Sequence, residues 1–202
     1  MQQTVFLIRH GQTDWNTGGK YMGHSDIPLN GAGLRQAEAL ARRLAGEAIG
    51  AVVSSDLARS RETAALIAAA HGLPVQQHSG LREIDFGQWE GLSYAEIMRD
   101  WPALLPRLYE NPGRLRPPGG ESALEVRRRA VAALTAVLKA APQRNVAVVT
   151  HGGPIRLLLC HALALPAQRM WRLEQDAAAV NILRHQAGAW TLAVWNDTSH
   201  LR

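Results

Sequence analysis

Cysteine is almost missing from this chain: Cys160 is the one thiol in 202 residues. No intrachain disulfide can form, so the fold has to rest on burial and hydrogen bonding. Cys160, set in an apolar run, is expected to be a small buried hydrophobe in a reducing, cytoplasmic setting. Lysine is nearly absent too. Lys20 and Lys139 are the only two among 22 basic residues, so arginine carries the net charge of +5 and suits an anionic partner. No apolar stretch approaches the roughly 18 residues that a membrane span needs, and the first apolar run is too short for a secretory signal. Neither a membrane partner nor export is expected. Nucleic-acid binding would want basic residues clustered with aromatics on one face. The run Arg127-Arg128-Arg129 reads instead as one exposed helical turn, and no nucleic-acid partner is expected.

What is plentiful is apolar material, 47% of the chain, enough for one α/β domain over residues 1–202. The first apolar run, Thr4 to Ile8, is rich in β-branched residues and too short for a helix, and it stops abruptly at Arg9-His10-Gly11. The pattern recurs where Val146 to Thr150 runs into His151-Gly152-Gly153. In an open parallel sheet the carboxyl ends of the strands are where ligands bind. Between the two copies, Ala51-Val52-Val53 reads as a buried strand, and Asp56 as the N-cap of a helix whose first turn carries Arg59.

The remaining punctuation supports a three-layer α/β/α sandwich around a mostly parallel sheet. Gly11 to Asn30 is a long polar loop of the functional kind, ended by Asn30 as the cap of an amphipathic helix. Pro74 to His78 reads as a short edge strand, and Leu81 to Gly91 as an aromatic and acidic loop. Ser93–Glu96 and Ser122–Glu125 have capping-box form. Five prolines between Trp101 and Gly120 mark a partly helical excursion over the site. Pro154 sits where a helix would have its first residue, and Val180 to His185 with Trp190 to Trp195 form a hairpin that finishes the sheet.

Three strand-to-helix junctions thus bring Arg9, His10, Arg59 and His151 to one edge. Guanidinium forks match phosphate oxygens, and a helix N-terminus aims its free N–H groups at the same anion. Histidines near Asp26 and Glu83 are an alternative metal set, but adjacent arginines would oppose a cation, and no metal or other cofactor is expected. Arg59 has a rival reading as a helix-surface partner of Glu62, and Glu83 as a loop carboxylate paired with Arg82 or another arginine.

Leu7-Ile8-Arg9-His10-Gly11-Gln12-Thr13 with Trp15-Asn16 resembles the signature of the histidine phosphatase superfamily, the phosphoglycerate-mutase-like fold. Ser55 to Ala64, the Glu83 loop and Val149 to Gly153 match that family's later motifs in order, across nearly the whole chain. The resemblance implies that His10 is a nucleophile forming a phosphohistidine, that Arg9, Arg59, His151, Asn16 and the Gly152 N–H hold the phosphate oxygens, and that Glu83 donates a proton to the leaving alkoxide. That last role asks for a raised carboxyl pKa, which burial beside Phe86 or Trp89 would provide. Gln12, Gly23 and Arg61 are expected to support these groups or to pack the backbone around them.

Mutases of the superfamily are generally longer, so a chain of this length favours hydrolysis. Leu81 to Gly91, Gly119 to Ser122 and Asn196 to Leu201 resemble α-ribazole phosphatases of cobalamin assembly and their broad-specificity bacterial relatives. A small phosphate monoester such as α-ribazole 5′-phosphate is the implied substrate, met by a monomer or homodimer. A phosphoglycerate mutase or phosphatase is the enzymatic alternative, and a non-catalytic phospho-ligand-binding module the other. Trp15, His24, Trp89 and Tyr94 are candidates for the substrate rim, each equally readable as core.

Overall fold

The computed structural model describes residues 2–202. Its centre is a six-stranded sheet built from β1 (Gln3–Arg9), β2 (Ile49–Ser54), β3 (Val75–Gln77), β4 (Asn145–Thr150), β5 (Val180–Gln186) and β6 (Ala189–Asp197). The strand order is β3-β2-β4-β1-β5-β6. The first four run parallel, and β5 and β6 close one side as the antiparallel hairpin.

Alternation along the strands decides the layers, because successive side chains leave opposite faces. Val5 and Leu7 of β1, with Val146 and Val148 of β4, pack under α6 (Ala123–Ala140) and α7 (Gly152–Ala162). Phe6, Ile8, Ala147 and Val149 face the other way, onto Leu40 and Leu44 of α2 (Gly31–Leu44) and Ala64 and Ile67 of α3 (Ala58–Ala70). The result is an α/β/α sandwich buried on both faces, as parallel strands require. Cys160 lies wholly buried in the first of these cores.

The caps behave locally. Asn30 accepts from Gly33 N at 2.9 Å, and Ser93 and Ser122 open α4 (Tyr94–Asp100) and α6 with full capping boxes. Two expectations at helix starts are corrected. Asp56 caps nothing: it is drawn off to Arg82, at 2.6 and 2.8 Å, and α3 begins after Leu57 with Asp26 reaching across to accept from Ala58 N at 2.6 Å. Pro154 is the third residue of α7, which starts at Gly152. Within the polar loop lies a single unforeseen turn, α1 (Asp14–Thr17), capped by Thr13.

The proline-rich excursion contains α5 (Leu104–Glu110) and, with α4, encloses a small core of its own. Trp89, Ile97, Leu105 and Leu108 are buried there, with Tyr21, Phe86 and Tyr109 packed against them. This satellite core stands over the carboxyl ends of the strands and supplies one wall of the cavity described next.

Candidate active site

Strand register brings the two histidines together. Arg9 of β1 pairs with Thr150 of β4, and His10 N donates to Thr150 O at 3.0 Å. The residues immediately beyond each strand therefore sit side by side, with ring centroids 5.1 Å apart and edge to face. On the far side of β4, Ser55 N donates to Val149 O at 3.0 Å, which starts α3 beside His151. Arg59, in its first turn, reaches His151 Nδ1 with Nε at 3.2 Å. The sequence patterns at three separate junctions converge because β1, β4 and β2 are neighbours.

His10 is buried, and its Nδ1 lies 2.7 Å from Gly11 O. A carbonyl only accepts, so the proton is assigned to Nδ1, which leaves the lone pair on Nε2. Burial first, then the charges of Arg59 and Arg9, hold His10 well below the usual imidazole pKa, so the ring is neutral at pH 7. His151 is lowered in the same way by burial, Arg59, His10, Arg9 and Arg129. Its Nδ1 accepts from Arg59 and its Nε2 lies 3.3 Å from Ser60 Oγ, so in this state the ring orients Arg59.

Arg59 is buried and Arg9 half-buried, and neither faces a carboxylate directly. Arg9 Nη1 donates to Gln175 O at 2.5 Å and its Nε is buried without a partner, whereas Arg59 donates to Ser25 O and Gly23 O at 2.9 and 2.8 Å. Among the described residues neither is in a salt bridge; Arg82 takes Asp56, and Arg129 takes Glu121. The rival pairings of Arg59 with Glu62 and of Glu83 with Arg82 are therefore not formed. Burial lowers Arg59 to about 10, which leaves it charged at neutral pH. Backbone carbonyls fix the geometry of both guanidinium groups without neutralising them, a combination that favours an incoming anion.

Glu83 comes to the same cavity from the loop Leu81 to Gly91. Its Oε1 accepts from Gly153 N at 3.0 Å, at the start of α7, and from Ile84 N at 2.9 Å. Gly153 has to be glycine for this, since a Cβ there would meet Glu83 Oε1 and lie 2.7 Å from Ile84 Cγ1. The neighbouring Gly152 is the first residue of the helix, with its N–H at the positive end of the dipole. Asn16 spends Oδ1 on Thr13 N at 3.1 Å, and its residue lines the cavity.

That cavity, of about 340 Å³, is lined by Arg9, His10, Asn16 and Glu83 at its base and by Lys20, Tyr21, Phe86, Tyr94, Tyr109 and Trp171 around its sides. Of the four rim candidates only Tyr94 belongs to it. Trp89 is completely buried in the satellite core, because its indole is the largest apolar group available to fill that space. Trp15 lies against Gly91 under the Lys20 ammonium. His24 turns inward, its Nε2 3.1 Å from Glu83 O. Gln12 is spent on α2, with Oε1 accepting from Asn30 at 3.3 Å. Gly23 serves by its carbonyl on Arg59 and by its missing Cβ, for which Glu90 and Ile84 leave no room. Arg61 donates to Asp56 O, outside the cavity.

Sequence reading missed Tyr109 and Trp171, whose rings lie 5.0 Å apart, and Glu90, whose carboxylate gathers His24 N, Ser25 N and Ser25 Oγ at 2.5–2.7 Å. Each acts across a long sequence separation and has no local signature. A larger, more apolar groove of about 430 Å³, lined by Val131, Leu134, Leu138 and Trp190, also contains Gln3. Gln3 opens β1 while His10 follows its end, so that groove is at the other end of the sheet from this chemistry.

The chain was compared with known proteins. It is 32% identical over 197 residues to phosphoserine phosphatase 1 of Hydrogenobacter thermophilus, covering 98% of this chain and 93% of the relative. It is 33% identical over 202 residues to a probable phosphoglycerate mutase of Yersinia pestis, covering 98% and 94%. A solved structure of a putative α-ribazole-5′-phosphate phosphatase from Escherichia coli superposes with a TM-score of 0.88 at 30% identity, over 96% of each chain. Residues 5–198 match the histidine phosphatase superfamily, branch 1. With that match running from β1 to the end of β6 and the paired histidines at the strand ends, this chain belongs to the histidine phosphatase superfamily and is a phosphatase of the phosphoglycerate-mutase-like fold.

Proposed function

We propose that the protein hydrolyses small phosphate monoesters through a phosphohistidine at His10. The observation that carries this reading is the buried His10 imidazole in the cavity lining beside Arg9, with Nδ1 turned to Gly11 O at 2.7 Å. In the first step Nε2 attacks phosphorus in line while the ester oxygen leaves. Arg9 and Arg59, with the Gly152 N–H, the Asn16 amide and His151, hold the non-bridging oxygens and stabilise their charge. Glu83, which lines the same cavity, passes a proton to the departing alkoxide and then takes one from the water that cleaves the phosphohistidine. Phosphoryl transfer leaves little covalent chemistry to the protein beyond this. Two guanidinium groups already supply the charge that a divalent ion would bring, and the reading assigns no metal.

For the leaving group, the aromatic side walls support a flat one, and α-ribazole 5′-phosphate is the candidate substrate, which would make the enzyme a participant in cobalamin assembly. The test of the chemistry is a denaturing quench at alkaline pH during turnover of a ³²P-labelled monoester. An acid-labile, alkali-stable phosphoenzyme should appear in the wild type and be absent from His10→Ala. Full turnover by a folded His10→Ala protein would falsify the nucleophile, and binding of phosphate without turnover by the wild type would favour the non-catalytic module.

A further inference from the structure

Glu83 sits in a loop between two single 3₁₀ turns, Ser79–Leu81 and Gly87–Trp89, with no strand or helix to hold it. Its backbone is instead gripped chiefly by one side chain of α6, with His24 Nε2 also 3.1 Å from Glu83 O. Arg129 Nη1 donates to Gly80 O at 3.0 Å and to Arg82 O at 2.6 Å, and Nη2 donates to Glu83 O at 2.6 Å. The same guanidinium is held from behind by Glu121, with Nε and Nη2 at 2.9 and 2.7 Å from its carboxylate. Glu121 in turn accepts from Asp85 N at 3.1 Å. The ion pair therefore fixes the chain on both sides of Glu83, and all three guanidinium nitrogens are engaged. This overturns the expectation that Arg127-Arg128-Arg129 is simply an exposed turn: only Arg128 of the three is exposed.

We propose that Arg129 is the positioning residue for proton donation by Glu83. The proposal rests on the reading of Glu83 as the acid. A general acid works only within hydrogen-bond reach of the oxygen it protonates, and a misplacement of about 1 Å can cost roughly 100-fold. Three carbonyls on one planar fork set the path of the loop in a way that a lysine ammonium, a single compact charge, cannot reproduce. The hydrogen bonds of Arg129 go to Gly80, Arg82, Glu83 and Glu121 and to none of Arg9, His10, Arg59 or His151, so its loss leaves Arg9, Arg59 and the nucleophile in place. Its effect should appear in the step that needs a proton and not in phosphate binding.

The experiment compares an aryl ester, p-nitrophenyl phosphate, whose leaving group departs without protonation, with an alkyl ester, glycerol phosphate, whose leaving group does not. kcat and KM are measured for wild type, Glu83→Gln, Arg129→Met, Arg129→Lys and Glu121→Gln, with a thermal melt for each. Arg129→Met should lose about 10- to 100-fold in kcat/KM on the alkyl ester, a fraction of the roughly 10²- to 10⁴-fold that general acid catalysis supplies. On the aryl ester the loss in kcat/KM should stay within about threefold, because kcat/KM reports formation of the phosphoenzyme, which needs no acid there, and leaves out the phosphohistidine hydrolysis that both esters share. Arg129→Lys should show the same bias more weakly and serves if the methionine variant does not fold. Equal losses on both esters in a folded Arg129→Lys, with Glu83→Gln still selective for the alkyl ester, would overturn the proposal and make Arg129 a structural residue. No selectivity in Glu83→Gln itself would remove the acid, and the proposal with it.

Discussion

His10 shows how a single residue is prepared by its surroundings. An imidazole in water is half protonated near pH 6.5 and half lost as a nucleophile; here burial and two flanking arginines favour the neutral form. The tautomer is set by a backbone carbonyl one residue away, so the nitrogen that keeps the lone pair is chosen by the strand end itself. The same environment has a stability consequence. Unfolded, His10 and His151 take up protons as pH falls through about 6.5, whereas folded they resist until well below it, so the unfolded state binds more protons in that window. Stability is therefore whole above pH 7 and falls as pH drops below 6.5, by at most about 1.4 kcal/mol per pH unit for each histidine. His161 and His200, also lowered by burial, add in the same direction. The melting temperature should drop between pH 7.5 and 5.5, less steeply in His10→Asn, and the His10 ring should remain neutral by NMR at pH 6. A protonated His10 at that pH would contradict the geometry that assigns it as nucleophile.

At the scale of elements, what could be read from the sequence was what neighbouring residues decide. Strands ending in Arg9-His10 and His151, the Asn30 cap and both capping boxes depend on contacts within a few positions, and they stand where the pattern puts them. The start of α3 does not, since Asp56 is as good a cap as Asp26 by composition, and only the fold brings Arg82 within 2.6 Å of one and Ala58 N within 2.6 Å of the other. The indole of Trp89 and the guanidinium of Arg129 were misread for a similar reason: each fills a space or meets carbonyls created by a segment tens of residues away. The cross-chain cap can be checked. Asp26→Ala should cost about 1 kcal/mol, as lost N-caps do, and so lower the melting temperature by roughly 2–4 °C in a domain of this size. Because Arg59 is the second residue of α3, the phosphate KM should rise with it, while Asp26→Asn should retain most of both. An unchanged melting temperature in Asp26→Ala would mean that α3 is capped by solvent.

Taken whole, the molecule is a phosphate-binding sheet edge roofed by a separately packed lobe, and the lobe is where specificity has to lie. The phosphate end is assembled from the strand junctions, whereas Tyr94 comes from α4, Tyr109 from the excursion and Trp171 from the segment before β5. Around the walls aromatic rings outnumber charges; among the described residues Lys20 is the one lining cation apart from Arg9 at the base, and Arg156 lies behind Trp171, 5.8 Å from its ring centre with Nε donating to Leu173 O. Arg107, Arg114 and Arg116 do not line the cavity, and Arg116 is turned to Glu125 at 3.2 Å. A flat base can stack on such rings, whereas the carboxylate of a phosphoglycerate asks for a fixed cation, and an exposed lysine on a flexible stem is a poor one. The names of the relatives pull in both directions, towards phosphoserine and phosphoglycerate on one side and α-ribazole phosphate on the other. The walls favour the second. With α-ribazole 5′-phosphate, kcat/KM should exceed that for 3-phosphoglycerate or phosphoserine by about tenfold or more, the value of roughly 1.4 kcal/mol of extra stacking in the transition state. Phosphoryl exchange between 3- and 2-phosphoglycerate should stay far below hydrolysis. Tyr109→Ala should remove most of the preference while leaving the rate on a small alkyl phosphate within about threefold, since uniform loss would mark a packing role instead. Release of phosphate from each substrate, measured with both proteins, decides the matter, and a preference for phosphoglycerate or exchange faster than hydrolysis would overturn the choice of substrate while leaving the phosphohistidine chemistry standing.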